Sequence, residues 1–330
     1  MLAVVALHTT PFERLLTPIG DSHDAATWVN QLARFAVPFF FVMSGYFWAS
    51  KFAAAALLAA PTRALVRRIA IVFAVWSLFY LLPTDLGGAF AHGPLGPLKT
   101  VYWNLAAAAR DPLATLFGGT KNHLWFLPAL LSCLAISALL LRFTRPPVLV
   151  ATAVVLYTIG LAGKAYADSP IGFHSGFNLR NGPFFGLLFF VTGYLLQRWH
   201  AERQAPGRGL ALIVVGLAVQ AIELQLIRQH WGSSMNQDYV VGTYFLGVGA
   251  ALLALSNARW LSASGLAAAG PLALGIYVLH YAFVDLLAPL DRLWPEHALW
   301  DVVYVVAVLL LSWWAAAQLA RHPATRRWVS

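Results

Sequence analysis

Long apolar runs alternate with short polar breaks along the whole chain. The runs lie at about 1–12, 32–50, 69–83, 122–141, 147–163, 182–198, 209–227, 239–256, 266–288 and 298–320. Most are long enough to cross a hydrocarbon layer of about 30 Å. A backbone inside lipid must satisfy its own hydrogen bonds. The period-two alternation of a membrane barrel is missing, so each run is expected to be a helix. The pattern predicts an all-α, polytopic membrane helical bundle of about ten transmembrane helices. It reads as a single integral membrane domain over 1–330, with no separate soluble domain. The longest polar stretches, 84–121 and 164–181, read as loops. The first run is the exception: its dozen residues before Glu13 rise only about 18 Å. The first helix therefore reads as N-terminally truncated, with Met1 already inside it. No internal repeat is evident, which weighs against transporters built from inverted repeats.

Charge sharpens this picture. Apolar residues make up 60% of the chain and charged ones 11%. A soluble domain carries roughly 25% charged residues, so a soluble protein is excluded. The net charge of +9 does not call for nucleic acid, because the cations are spread between runs. One alternate set of loops holds Lys51, Arg63, Arg67, Arg68, Arg142, Arg145, Arg198, Arg203, Arg208, Arg259, Arg321, Arg326 and Arg327, with Glu202 as its acid. The other set holds Glu13, Asp21, Asp24, Asp85, Asp111, Asp168, Asp238, Asp291, Glu296 and Asp301. Positive charge stays inside, so both termini are expected in the cytoplasm. Cys133 is the single cysteine and sits in an apolar run, which excludes a disulfide framework and a cysteine metal site.

Ionisable groups within membrane runs are expensive and are candidate functional residues. They are His8, His280, Glu223 and Asp285 within runs, and Arg34, Lys121, His123 and Arg180 at the outer ends of runs. Glu223 and Asp285 lie toward the ends of their runs and read as reaching water. Tyr277, one turn before His280, shares its face. Arg34, Lys121 and Arg180 read singly as snorkelling anchors and together as a cationic pocket for a glycan or phosphate. Asn30, Asn122, Asn178 and Asn181 lie beside them, and amides with aromatics suit sugar hydroxyls. Trp125 and Phe126 read as interfacial aromatics or as part of that pocket. Ser44-Gly45 and Thr192-Gly193 read as sites of close helix packing. On the inner side Arg63 and Arg67 share a helical face and Arg68 is adjacent. They fit either anionic lipid or the phosphates of a cytoplasmic cofactor.

Several chemistries fail. There is no glycine-rich phosphate loop, no HExxH zinc pair and no GxSxG nucleophile elbow. Asn122-His123 is similar to the His-x4-Asp box of glycerolipid acyltransferases, but Pro128 stands where the acid belongs.

Five segments together resemble membrane acyltransferase family 3. They are the first run with His8, RFAVPFFFVMSGYF (34–47), HLWFLP (123–128), FFGLLFFVTGYLL (184–196) and YVLH (277–280). Size and pattern are nearest the branch that includes the enterobacterial common antigen O-acetyltransferase. The resemblance implies a fold and a function. Such proteins take an acyl group, usually from cytoplasmic acetyl-CoA, and deliver it to a hydroxyl of a glycan or lipid-linked sugar at the outer side. It implies acetyl-CoA as acyl donor, no metal, membrane lipids around the chain, and no nucleic acid partner. The family's first-helix histidine is matched by His8, which becomes the expected catalytic group. It would act as general base or as acyl carrier. Arg34, Asn122, His123, Trp125, Arg180 and His280 become expected substrate-binding residues, and Arg63, Arg67 and Arg68 the cofactor-binding ones. The family also has an arginine upstream of its histidine, which would fall before residue 1. The rival readings are a transporter or flippase for a small amphipathic or lipid-linked substrate, and a haem protein with His8 and His280 as axial ligands.

Overall fold

A computed structural model describes residues 1–13, 22–51, 60–199, 205–256, 270–294 and 298–329. Asp21, Glu202, Arg203, Arg259 and Glu296 of the charge pattern lie outside the described residues, as does the side chain of Asp24. The described residues are mostly helical, with no strand among them. The helices are α1 (Leu2–Thr9), α2 (Ser22–Ala33), α3 (Ala36–Lys51), α4 (Ala60–Phe79), α5 (Leu86–Phe90), α6 (Gly96–Arg110), α7 (Pro112–Gly118) and α8 (Phe126–Phe143). After them come α9 (Pro146–Ala162), α10 (Pro183–Arg198), α11 (Pro206–Trp231), α12 (Val241–Leu255), α13 (Ala273–Asp291), α14 (Ala298–Arg321) and α15 (Pro323–Arg326). Every apolar run of the sequence is met by one of these helices.

Five described stretches are long and apolar enough to cross a membrane: Ala25–Lys51, Asn122–Phe143, Pro206–Trp231, Gly270–Asp291 and Ala298–Arg321. Pro146–Ala162 and Val241–Leu255 are apolar but shorter.

The stretch 84–121, expected as a loop, is largely helical. Its polar and glycine residues are helix punctuation. Asp85 accepts from the Gly88 N–H and caps α5, and Asp111 accepts from the Ala114 N–H and caps α7. Prolines open α6 and α7, where a missing N–H costs nothing. Leu98, Tyr102 and Leu105 of α6 form an exposed apolar stripe at helical spacing. The stretch 164–181 is a loop, as expected.

The chain forms two compact units, each gathered from separate segments. The first is Met1–Ala33, Ile71–Leu124 and Ala267–Ser330, and the second is Arg34–Ala70 and Trp125–Leu266. In the first, α13 packs on α14, and α1 lies against α14, α13 and α2. Val5 fixes α1 there, buried with Tyr304, Val305 and Val308 of α14.

In the second unit α10 packs on α3, α8 and α9, and α11 pairs with α12. The two small-residue pairs singled out in the sequence are where α3 and α10 meet. A Cβ on Gly45 would lie 1.9 Å from the Phe190 carbonyl oxygen, and one on Gly193 would lie 1.9 Å from that of Val42. Glycine at both points lets the backbones touch, the packing mode that membrane helices favour. Glu223 departs from expectation. It is buried rather than in water, where its carboxylate accepts from the Val241 and Gly242 N–H groups and from the Tyr166 hydroxyl. It thereby satisfies donors that the first turn of α12 leaves without partners.

Candidate active site

The first unit brings together three histidines from three distant parts of the sequence. His8 lies near the end of α1. It stands three residues after Val5 and so shares the face that Val5 presses inward. Thr10 closes the helix in the left-handed conformation, with φ at 41°. His280 lies mid-way along α13 and is fully buried. His123 belongs to a 3₁₀ turn, Asn122–Trp125, and is also buried. That turn is set up by Gly119, whose φ of +75° suits glycine alone. It is also tied by Thr120, whose hydroxyl donates to the Ser77 carbonyl at 2.6 Å. The ring centres lie 5.2 Å apart for His8 and His280, 5.0 Å for His123 and His280, and 6.4 Å for His8 and His123.

Three tyrosines wall the cluster. Tyr281 stacks on His123 at 5.1 Å and lies 5.0 Å from His8. The Tyr277 hydroxyl donates to the His123 carbonyl. Tyr80, the residue after α4, meets His123 edge-on at 5.0 Å. Its hydroxyl donates to the Val278 carbonyl at 2.7 Å and accepts from the Ala282 N–H at 3.1 Å. Those two backbone groups are a helical i, i+4 pair, so the phenol bridges the α13 ladder level with His280.

Lys121 and Asp285 seal one side as an ion pair at 2.5 Å, with the Lys121 ammonium 4.8 Å from the Tyr281 ring centre. The Thr84 hydroxyl donates to the same carboxylate oxygen. Asp285 is thus held by partners rather than by water, and Lys121 is engaged with it. A lysine stem is long enough to reach the acid one turn beyond Tyr281. Asn122 is exposed.

Among the described residues, three of the ring nitrogens find no hydrogen-bond partner: Nδ1 and Nε2 of His123, and Nε2 of His280. Among the described residues no group of three or more His, Cys, Asp or Glu side chains is placed to hold a metal ion. Orphaned, buried polar atoms call for an explanation.

A second cluster lies in the second unit. Arg34 and Arg180, expected to converge, do so on Asp238. The distances to its carboxylate are 3.1 Å and 3.2 Å, and Lys164 adds a contact of 2.9 Å. Burial would raise the Asp238 carboxyl, but Arg180, Arg34 and Lys164 outweigh it and hold the group well below the usual carboxylate range. The Arg180 guanidinium lies 4.8 Å over the Trp125 ring, and Trp125 is buried against Phe41 and Phe185 rather than set in an interfacial belt.

The same unit holds a cavity of about 420 Å³ between α3, α4, α8 and α10. Ser44, Trp48, Leu65, Ile69, Leu134 and Phe190 line it, and Lys51 and Arg68 add two cations. Arg63, Arg67 and Arg68 are all exposed on α4.

The family model describing an acyltransferase domain matches residues 1–317. The chain belongs to that family. Together with its long apolar helices, membership makes it a multi-pass membrane protein. It is 28% identical over 295 residues to the serine/alanine racemase of Enterococcus gallinarum, covering 84% of this chain and 38% of that protein. It is also 28% identical over 216 residues to an amino-acid racemase of Enterococcus faecalis, covering 58% of this chain and 26% of that protein. The acyltransferase chain thus spans well under half the length of these relatives. No solved structure matches it.

Sequence reasoning missed Tyr80, Tyr281 and Lys164 as site residues. Tyr281 had a signal, since it directly follows His280. Tyr80 and Lys164 had none, because only the folded chain brings them to their partners.

Proposed function

We propose that this chain moves an acetyl group from acetyl-CoA to a hydroxyl of a cell-surface glycan or lipid-linked sugar, with His8 as the reacting base. Family membership supports acyl transfer. The observation that carries the assignment is the histidine cluster: the residue matching the family's first-helix histidine stands beside two buried imidazoles with unused ring nitrogens. In the step, His8 takes the proton of the acceptor hydroxyl, and the oxygen attacks the thioester carbonyl. A C–O bond forms, the C–S bond breaks, and the proton passes from His8 to the leaving thiolate. An imidazole titrates near neutrality in water, which suits both proton transfers.

The donor side of the proposal rests on the second unit. Arg63, Arg67 and Arg68 would hold the CoA phosphates, because guanidinium pairs well with phosphate. The adjoining cavity is apolar with two cations and within the range of about 300–1,000 Å³ that small organic ligands occupy, as a thioester arm requires. In the second unit Arg34, Arg180 and Trp125 offer the cations and aromatic face that a sugar acceptor uses, and in the first unit exposed Asn122 offers an amide. His123 and His280 complete the walls around His8. The chain would sit in a bacterial inner membrane with both termini cytoplasmic, where acetyl-CoA is available.

The experiment is acetyl transfer in membranes carrying the chain, supplied with radiolabelled acetyl-CoA. Label in the glycan or lipid fraction is expected from the wild type and not from His8→Ala. Equal labelling by His8→Ala, or none by inserted, folded wild type, overturns the proposal.

A further inference from the structure

His280 is fully buried, and its two nitrogens are treated differently. Its Nδ1 lies 2.6 Å from the Tyr277 carbonyl oxygen. A carbonyl only accepts, so Nδ1 carries the proton. A neutral ring has one N–H, which leaves Nε2 as a bare acceptor. That acceptor is buried, in a side chain with no exposed surface, and has no partner among the described residues. Leaving such a group unsatisfied is costly, so it is expected to have a use. His8 is 5.2 Å away between ring centres with the planes tilted by 35°. At that separation two ring nitrogens that point at each other's rings come within hydrogen-bond reach.

We infer that His280 is a positioning residue for His8, its Nε2 accepting the N–H of His8. This rests on the acyl-transfer reading above. The bond selects one tautomer of His8: the N–H points at His280, and the opposite ring nitrogen is the bare base that meets the acceptor hydroxyl. When that base takes the hydroxyl proton, His8 becomes an imidazolium. The bond to His280 then becomes charge-assisted and strengthens. The proton leaves His8 for the thiolate and the pair returns to its starting state, so nothing is consumed. The Tyr277 carbonyl orients His280, and His280 orients His8. The logic is that of a serine hydrolase triad, with a neutral imidazole where a carboxylate stands. A carboxylate there would be a charge deep in the bundle, which membrane interiors disfavour.

Three substitutions separate this from a purely structural role. His280→Gln extends a carbonyl to the position of Nε2, His280→Asn reaches only the position of Nδ1, and His280→Leu keeps bulk alone. Acetyl transfer is measured for each with kcat and KM resolved, alongside wild type and His8→Ala. Asn and Leu are expected to lower kcat about 10–100-fold, as loss of an orienting partner does, with KM for acetyl-CoA unchanged. Gln is expected to recover at least half of that loss on a logarithmic scale. If Asn matches or exceeds Gln, only the Nδ1 bond matters and the inference is overturned, while transfer that still depends on His8 leaves the parent reading standing. If wild type shows no His8-dependent transfer, both fall. A second measurement needs no folded variant: nitrogen NMR of histidine-labelled wild type. The inference expects Nδ1–H on His280, and an Nε2–H signal there contradicts it.

Discussion

Lys121 and Asp285 form an ion pair at 2.5 Å although 164 positions separate them in sequence. The pair ties the His123 turn to α13 beside the three histidines. Both side chains are mostly shielded, at 27% and 14% exposed, so removing one partner leaves a poorly solvated charge. Asp285→Leu is expected to lower stability by about 2 kcal/mol. Adding Lys121→Met should recover part of it, because the stranded ammonium is then gone. Thermal unfolding of the two single variants and the double one gives the coupling.

The close approach of α3 and α10 makes a steric prediction. Gly45→Ala and Gly193→Ala each place a methyl carbon against a backbone carbonyl that cannot move aside by a rotamer change. Each is expected to destabilise the folded chain by roughly 1–3 kcal/mol. Because one displacement of the helices relieves both clashes, the double variant should lose less than the sum. Unfolding midpoints in one detergent check this.

Asp238 predicts a pH dependence. Its folded carboxyl is held below the usual range, the three cations outweighing burial. The stabilisation is therefore complete above the unfolded value of about 3.9 and is lost as pH falls toward the folded one. Asp238→Asn should be less stable than wild type by a margin that stays constant from about pH 7 to pH 5 and narrows below about pH 4. A constant margin down to about pH 3 contradicts the pairing.

The cavity predicts a separation of effects. Arg68→Gln removes a cation from its lining, and Ser44→Trp fills it. If the donor lies there, loss of one charge-assisted contact should raise KM for acetyl-CoA about 10–100-fold. An assay at saturating donor should show kcat little changed for Arg68→Gln.

Much of the fold was legible because membrane helices must be apolar along their length. The runs therefore mark the helices, and Gly45 and Gly193 mark a contact before any partner is known. The site was legible in parts. His8, His123 and His280 each stood out as ionisable groups at odds with lipid, but their convergence depends on how α1, the 3₁₀ turn and α13 pack. Arg34 and Arg180 do meet, on Asp238, whereas Lys121 pairs with Asp285. A lysine stem reaches several neighbours, and sequence order does not choose among them. Glu223 was read as reaching water because its run nears an end there. The backbone donors of the α12 amino terminus, invisible in a list of residues, are what hold it inside.

The central claim is that His8 carries acyl transfer, and single-turnover transfer by purified protein tests it most directly. Wild type and His8→Gln, matched for folding by thermal midpoint, are mixed with labelled acetyl-CoA and acceptor-bearing membrane extract. The label moved is then followed in time. A fall of about 10²–10⁴-fold in the transfer rate of His8→Gln is expected, the contribution of a positioned general base. A His8→Gln rate within a few-fold of wild type would contradict the account.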